Sequence, residues 1–312
     1  VIFTIPCLMT TAVLRIISTC IVISMLIIAC SIETEPPPST PTTLAPAITN
    51  LKQNLLVAIA TTDIALGPNR FAFGVLSKKG AIRVPDLSVA FTYLDATPST
   101  VTHIESASFS EWPTGTAGIY VTETSFDRAG RWGVILEIML EPGTKSVGHA
   151  DFLVREKSLS PGIGDIPPSG KNRTQNDVMD LIQLTTAPIP DPDLYQLTIE
   201  SAMDNEKPTI ITFASPAFCS TATCGPQVLV LSAVKNLYKN EANFIHVDVY
   251  DNPLEMDGDI EKGVPSPLIK KWNLPSEPFT FVLDSSGRVS DKFQGFVTET
   301  ELENALSSVL NQ

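Results

Sequence analysis

The sequence predicts two folded modules in series, an all-β module followed by an α/β module, and three observations carry that expectation. Between residues 51 and 157, short runs rich in Val, Ile, Phe, Tyr and Thr are punctuated by turn residues. From Pro208 onward, strand-like runs alternate with helical ones. A stretch rich in Pro, Gly and Asp, residues 158–194, separates the two patterns. A chain of 312 residues has room for two domains of ordinary size.

In the first module, strands are expected at Asn54–Thr61, Arg70–Leu76, Asp86–Leu94, Gly118–Thr124 and Gly133–Leu140, with a last one near Ala150–Val154. Leu87, Val89, Phe91 and Tyr93 alternate with smaller or polar neighbours, as in a strand with one buried face. About seven strands over 51–157 suit an immunoglobulin-like sandwich. The Gly118-Ile119-Tyr120 strand, the Ala129-Gly130-Arg131-Trp132 turn and the closing Phe152-Leu153-Val154 resemble the Ig-like modules of FixH/YtkA type in bacterial extracytoplasmic proteins.

The connection 158–194 carries Pro161, Pro167, Pro168, Pro188, Pro190 and Pro192, with a short helix expected at Asn176–Leu184. The second module, 195–312, reads as strand Thr209–Ala214, helix Pro226–Tyr238, strand Asn243–Val249, strands Phe279–Leu283 and Arg288–Phe293 with a Ser286-Gly287 turn between them, and helix Glu299–Leu310. The last helix is the best marked. Thr298 and Glu301 form a capping box, and Leu302, Ala305, Leu306, Val309 and Leu310 make one apolar face.

The opening residues belong to neither module. Ile16–Ala29 is an apolar run of signal-peptide length behind Arg15, and Ile27-Ile28-Ala29-Cys30 resembles the bacterial lipobox. That resemblance implies cleavage before Cys30, lipidation of its sulfur, and a chain held on the extracytoplasmic face of a membrane; an uncleaved transmembrane helix is the alternative. The sequence begins with Val1, and Met9 would open a normal leader. Residues 30–50, with five prolines among many Ser and Thr, read as an extended tether.

The formal charge of −13 argues against nucleic acid as a partner, because a phosphate backbone requires a basic footprint. The acidity is uneven: 51–157 holds 10 basic and 11 acidic side chains, and 158–312 holds 10 and 21. Asp248, Asp251, Asp257 and Asp259 lack the spacing of a calcium loop and read as surface residues. Trp112, Trp132 and Trp272 read as core anchors, and His246, inside the strand Phe244-Ile245-His246-Val247, as a structural histidine.

Once a leader is removed, Cys219 and Cys224 remain as a closely spaced pair in a compartment that permits disulfides. They lie between a buried strand and a helix start marked by Pro226. A cysteine at that helix start meets unpaired N–H groups and a positive helix end, which favours Cys224 for ionisation.

Strand, cysteines, helix, then Glu277-Pro278-Phe279-Thr280-Phe281-Val282 and a terminal helix resemble the thioredoxin superfamily, in particular its TlpA/ResA-like extracytoplasmic branch. The resemblance implies thiol–disulfide exchange at Cys219 and Cys224 with protein thiols or disulfides as partners. It also implies a cis peptide bond before Pro278, substrate contacts at Glu277 and Pro278, and no cofactor or metal. The chain departs from the family at Gln227, where a C-x-x-C motif would have its second cysteine. The C-x-x-x-x-C spacing also resembles one class of peroxiredoxins, but Pro216 occupies the position where their chemistry requires a hydroxyl. It is one residue longer than the cysteine pair of Sco-type copper chaperones, which leaves a copper-handling or purely binding protein as the competing class.

Overall fold

The computed structural model describes residues 54–311, apart from 113–114, 116–117, 142–143 and 220–222. The predicted leader, Cys30 and the whole of the tether lie outside these described residues.

In the N-terminal module, period-2 alternation of apolar residues becomes strands with one buried face. Leu87, Val89 and Phe91 of β4 (Asp86–Tyr93) point inward, and so do Tyr120 and Phe126 of β6 (Gly118–Phe126). The other strands are β1 (Leu55–Ile59), β2 (Gly67–Ser77), β3 (Gly80–Ala81), β5 (Thr100–Glu111), β7 (Gly130–Glu141) and β8 (Thr144–Val154). They enclose an aromatic core in which Phe71, Phe91, Phe126, Trp132 and Phe152 meet mostly edge to face. Trp132 is buried, and its indole N–H donates to the Arg128 carbonyl at 3.0 Å.

The pairing order is β1-β8-β7-β4-β5-β6-β2-β3, and β1 also pairs with β2. The module is therefore all-β, as expected, but its strands form one continuous sheet that closes on itself rather than the two separate sheets of a sandwich. Two strands make the closure. β1 is antiparallel to β2 and parallel to β8, and β5 runs along β4 before turning to β6 from Ser108 onward. β5 is absent from the strands expected above because its apolar residues are interleaved with Thr, Ser, His and Glu, so no apolar run marks it.

The C-terminal module is built on a four-stranded sheet in the order β10-β9-β11-β12, from β9 (Thr209–Phe213), β10 (Asn243–Val247), β11 (Phe279–Leu283) and β12 (Val289–Gln294). β9 and β10 are parallel, and β11 is antiparallel to both β9 and β12. β9, β10 and β11 are buried along their whole length, which requires cover on both faces. α2 (Cys224–Tyr238) and α5 (Glu299–Leu310) supply one side, burying Leu231, Val234, Leu302 and Leu306. Trp272, Leu268 and residues of α1 (Ile199–Met203) supply the other. Two short helices, α3 (Pro253–Met256) and α4 (Pro267–Lys271), complete the connection from β10 to β11. The capping box of α5 forms as expected: Thr298 Oγ1 accepts from the Glu301 N–H at 3.2 Å, and the Glu301 carboxylate accepts from the Thr298 N–H at 3.0 Å.

The segment 158–194 lies against this module. Gly164 N–H donates to the Val289 carbonyl and Val289 N–H to the Asp165 carbonyl, which extends pairing beyond β12. Leu184 and Leu194 are buried in the core. The helix expected at Asn176–Leu184 is replaced by two 3-10 turns, Gln175–Asp177 and Leu181–Gln183, separated by extended Val178. The cause is local competition: Asp177 takes the Thr174 N–H and Asp180 takes the Ile182 N–H, which favours short turns over a continuous helix.

The two sheets are joined by buried polar contacts. Lys292 of β12 reaches Asp63 at 3.0 Å, and the same carboxylate accepts from both Ser158 and Ser160 hydroxyls at 2.6 Å. Burial alone would raise the Asp63 carboxyl, but these hydroxyls, Lys292 and the Leu159 N–H outweigh it and lower its pKa to about 2. Arg70 of β2 pairs with Glu301 of α5 at 2.8 Å and donates to the Phe296 carbonyl at 2.9 Å. Gln294 Oε1 accepts from the backbone N–H groups of Thr62 and Asp63. These bonds cross between residues more than 220 positions apart in sequence, and they fix one module against the other.

Candidate functional site

β9 delivers the chain to a loop at one end of the sheet, and the loop returns into α2. The helix begins at Cys224 itself, with Thr223 as its N-cap, two residues earlier than the Pro226 start expected from sequence. Pro226 still falls in the first turn, where a missing N–H leaves no helical bond unmade.

Cys219 and Cys224 form a disulfide with their Cα atoms 5.8 Å apart. Their surroundings differ. Cys224 is fully buried in the core beneath α2, whereas Cys219 is half-buried and packs at the edge of that core. The backbone N–H of Cys224 donates to Cys219 Sγ at 3.3 Å. The sulfur placed at the positive end of α2 is therefore that of Cys219, contrary to the sequence reading, which favoured Cys224 for ionisation. The difference arises because the helix starts at Cys224: its own side chain turns into the core, and its N–H points at the other sulfur.

Glu277 and Pro278 lie at the start of β11, joined by a cis peptide bond. A Glu277 carboxylate oxygen and the two sulfurs all lie within 4.8 Å of one another. Burial raises the Glu277 carboxyl first, and the nearby Asp248 carboxylate second, to a pKa of about 7. Among the described residues, its Oε2 is buried without a hydrogen-bond partner. Once the disulfide is reduced, two thiolates and this carboxylate form a donor set that could hold a thiophilic ion.

The bracing around this loop has no local signature in the sequence. Asp248, read as a surface residue, is buried and accepts from the Thr186 N–H at 2.7 Å and its hydroxyl at 2.9 Å. Thr186 Oγ1 in turn accepts from the Ala217 N–H at 3.2 Å, which ties the 158–194 segment to the loop ahead of Cys219. Nothing short of the folded topology brings Thr186, Asp248 and Ala217 together.

Other expectations can be placed directly. Gln227, at the position of a second C-x-x-C cysteine, is fully buried and accepts the Val297 N–H at 2.8 Å. His246 is buried within β10; its Nε2–H donates to the Ala214 carbonyl at 3.0 Å, so Nδ1 accepts from the Tyr195 hydroxyl at 2.7 Å. Both ring nitrogens are thus engaged in structure, and burial holds its pKa below the usual histidine value. Trp132 and Trp272 are core residues, whereas Trp112 is half-buried and packs from the end of β5 against the core of the C-terminal module.

The C-terminal module thus carries a four-stranded sheet in the order β10-β9-β11-β12 with a disulfide at the head of its first long helix. No family model matches the chain, and no curated protein matches it either. Solved structures similar to part of the chain include a thiol:disulfide interchange protein of the thioredoxin family from Chlorobium tepidum, at 18% identity and a TM-score of 0.31, covering 41% of this chain and 97% of that one. StoA from Bacillus subtilis is similar at 16% identity and a TM-score of 0.27, over 32% of this chain and 83% of StoA. A protein from Bacteroides thetaiotaomicron described as a protein disulfide isomerase is similar at 12% identity and a TM-score of 0.35, over 49% of this chain and 92% of that one. At these values the functional reading rests on the geometry of the site itself.

Proposed function

We propose that this protein is a membrane-anchored, extracytoplasmic thiol–disulfide oxidoreductase that works through Cys219 and Cys224. The observation that carries the reading is the asymmetry of the disulfide: one accessible sulfur held at a helix N-terminus, and one buried sulfur beneath it. A client thiolate attacks Cys219 Sγ, the Cys219–Cys224 bond breaks, and Cys224 leaves as a thiolate that takes up a proton. A second client thiolate then attacks the client sulfur of the mixed disulfide and releases Cys219. Two client thiols become one client disulfide, and the protein gains the two electrons and two protons as a dithiol. The reverse sequence reduces a client disulfide. Glu277 and Pro278 flank the site of attack and would hold the client's backbone.

The other parts of the proposal concern place and organisation. Cleavage before Cys30 and lipidation of that residue would hold residues 30–50 as a tether, with the all-β module at 51–157, the connecting segment at 158–194 and the thioredoxin-like domain at 195–312. Mass spectrometry of the mature N-terminus should find a diacyl-modified Cys30, and an intact peptide containing Arg15 would refute processing.

The redox reading is tested by the reduction potential of the Cys219–Cys224 couple. A value above ~−300 mV supports exchange, and a value far below it, or thiols closed to alkylation after reduction, refutes it. A second reading, metal handling by the reduced protein, is favoured by the two sulfurs and the Glu277 carboxylate lying within 4.8 Å of one another. Stoichiometric Cu(I) binding that is lost in Cys219→Ser would support it.

A further inference from the structure

A cavity of about 740 Å³ lies between the two modules. Leu76 and Trp112 line it from the β module, Ile269 and Leu274 from the other, and Thr223 and Glu277 bring it to the disulfide. Resting on the exchange reading above, we propose that this cavity receives an apolar side chain of a client polypeptide beside its reactive cysteine, so that the β module selects the client.

Four observations converge on that occupant. The cavity is bounded by Thr223, the residue next to Cys224, and by Glu277, whose carboxylate lies within 4.8 Å of both sulfurs, so whatever fills it is next to the attacking thiol. Its walls cannot drift apart freely, because the Asp63–Lys292 and Arg70–Glu301 pairs and the Gln294 bonds hold the modules together. Its volume is that of a site for a large side chain with its flanking backbone. Trp112 Nε1 and Glu277 Oε2, both on lining residues, are buried without hydrogen-bond partners among the described residues. A peptide unit offers both a carbonyl that can accept from an indole N–H and an N–H that can donate to a carboxylate. A hydrocarbon ligand would leave both unsatisfied, and this separates a polypeptide occupant from a lipid-like one.

The test measures exchange between the oxidised protein and two cysteine peptides that differ at one position beside the cysteine, phenylalanine in one and serine in the other. Each rate is divided by the same protein's rate with dithiothreitol, which corrects for changes at the disulfide itself. Burial of the aromatic ring should favour the phenylalanine peptide by roughly ten- to a hundredfold. Trp112→Ala should bring that ratio near one. Leu76→Ser, at a residue already 39% exposed and therefore tolerant of a polar side chain, should lower it severalfold. Trp112→Phe should keep the preference while slowing both peptides, because the ring stays and the N–H is lost. A ratio near one in the unaltered protein, with dithiothreitol reacting normally, would overturn the cavity proposal and leave exchange standing. Failure of both dithiothreitol and peptides to react would overturn the exchange reading itself.

Discussion

Replacing Glu277 by glutamine removes the carboxyl that lies within 4.8 Å of both sulfurs and keeps its size. In the reduced protein, a carboxylate beside a thiolate is a like-charge pair, so ionised Glu277 opposes ionisation of Cys219. Two unit charges at 4.8 Å repel by about 0.9 kcal/mol in water and about 3.5 kcal/mol at an effective dielectric of 20. Because Glu277 is partly exposed, the lower part of that range applies, and the expected fall in the Cys219 pKa is about one unit. Since the Glu277 pKa is about 7, the effect has a characteristic pH window. Below about pH 6 the carboxyl is protonated and the variant should match the unaltered protein. Above pH 7 it is charged, and the variant should react faster until the thiol is fully ionised in both. The assay is the rate of iodoacetamide alkylation of Cys219 from pH 5 to 10, with the unaltered protein titrating as a coupled pair. Superimposable profiles above pH 7 would refute the electrostatic argument, and so would a slower variant.

Further outcomes follow from the packing. Lys292→Met leaves the buried Asp63 carboxylate without its cation and should lower stability by about 3 kcal/mol in chemical denaturation. The same carboxyl sets an acid limit. Its folded pKa is lowered to about 2, so its contribution is full above the unfolded value of 3.8 and should be lost as pH falls through 2, a dependence absent from Asp63→Asn. Gln227→Ala strands the buried Val297 N–H and should cost about 1–3 kcal/mol with little change in the reduction potential. Arg70→Ala removes both the Glu301 pair and the Phe296 bond, and should raise hydrogen exchange in β12 and at the start of α5 before it affects the cores.

The α/β module was the more legible in sequence, because its signals are local. The short β-branched run Thr209–Thr212, closed by Phe213, marks a buried strand, and the Thr298/Glu301 capping box marks its helix to the residue. The cysteine pair was legible as a pair but not in its polarity. Which sulfur meets the helix end depends on a two-residue difference in where α2 starts, and Pro226 tolerates either start. The β module was legible in composition and not in closure. β5 alternates small polar residues with few large apolar ones, yet it is the strand that connects β4 to β6. Contacts between distant segments were the least visible: Asp248 reads as one of an acidic surface group until Thr186 arrives from the connecting segment to hold it. The same holds for Trp112, whose partners belong to the other module.

The central claim, that Cys219 is the sulfur a client attacks and Cys224 the one that resolves it, is tested most directly by trapping the mixed disulfide. Cys224→Ser and Cys219→Ser proteins are incubated with an oxidised cysteine peptide, and the adducts are mapped by mass spectrometry. The account predicts a stable peptide adduct on Cys219 in the Cys224→Ser protein and almost none on Cys224 in the Cys219→Ser protein. Equal labelling of both, or preferential labelling of Cys224, would contradict it.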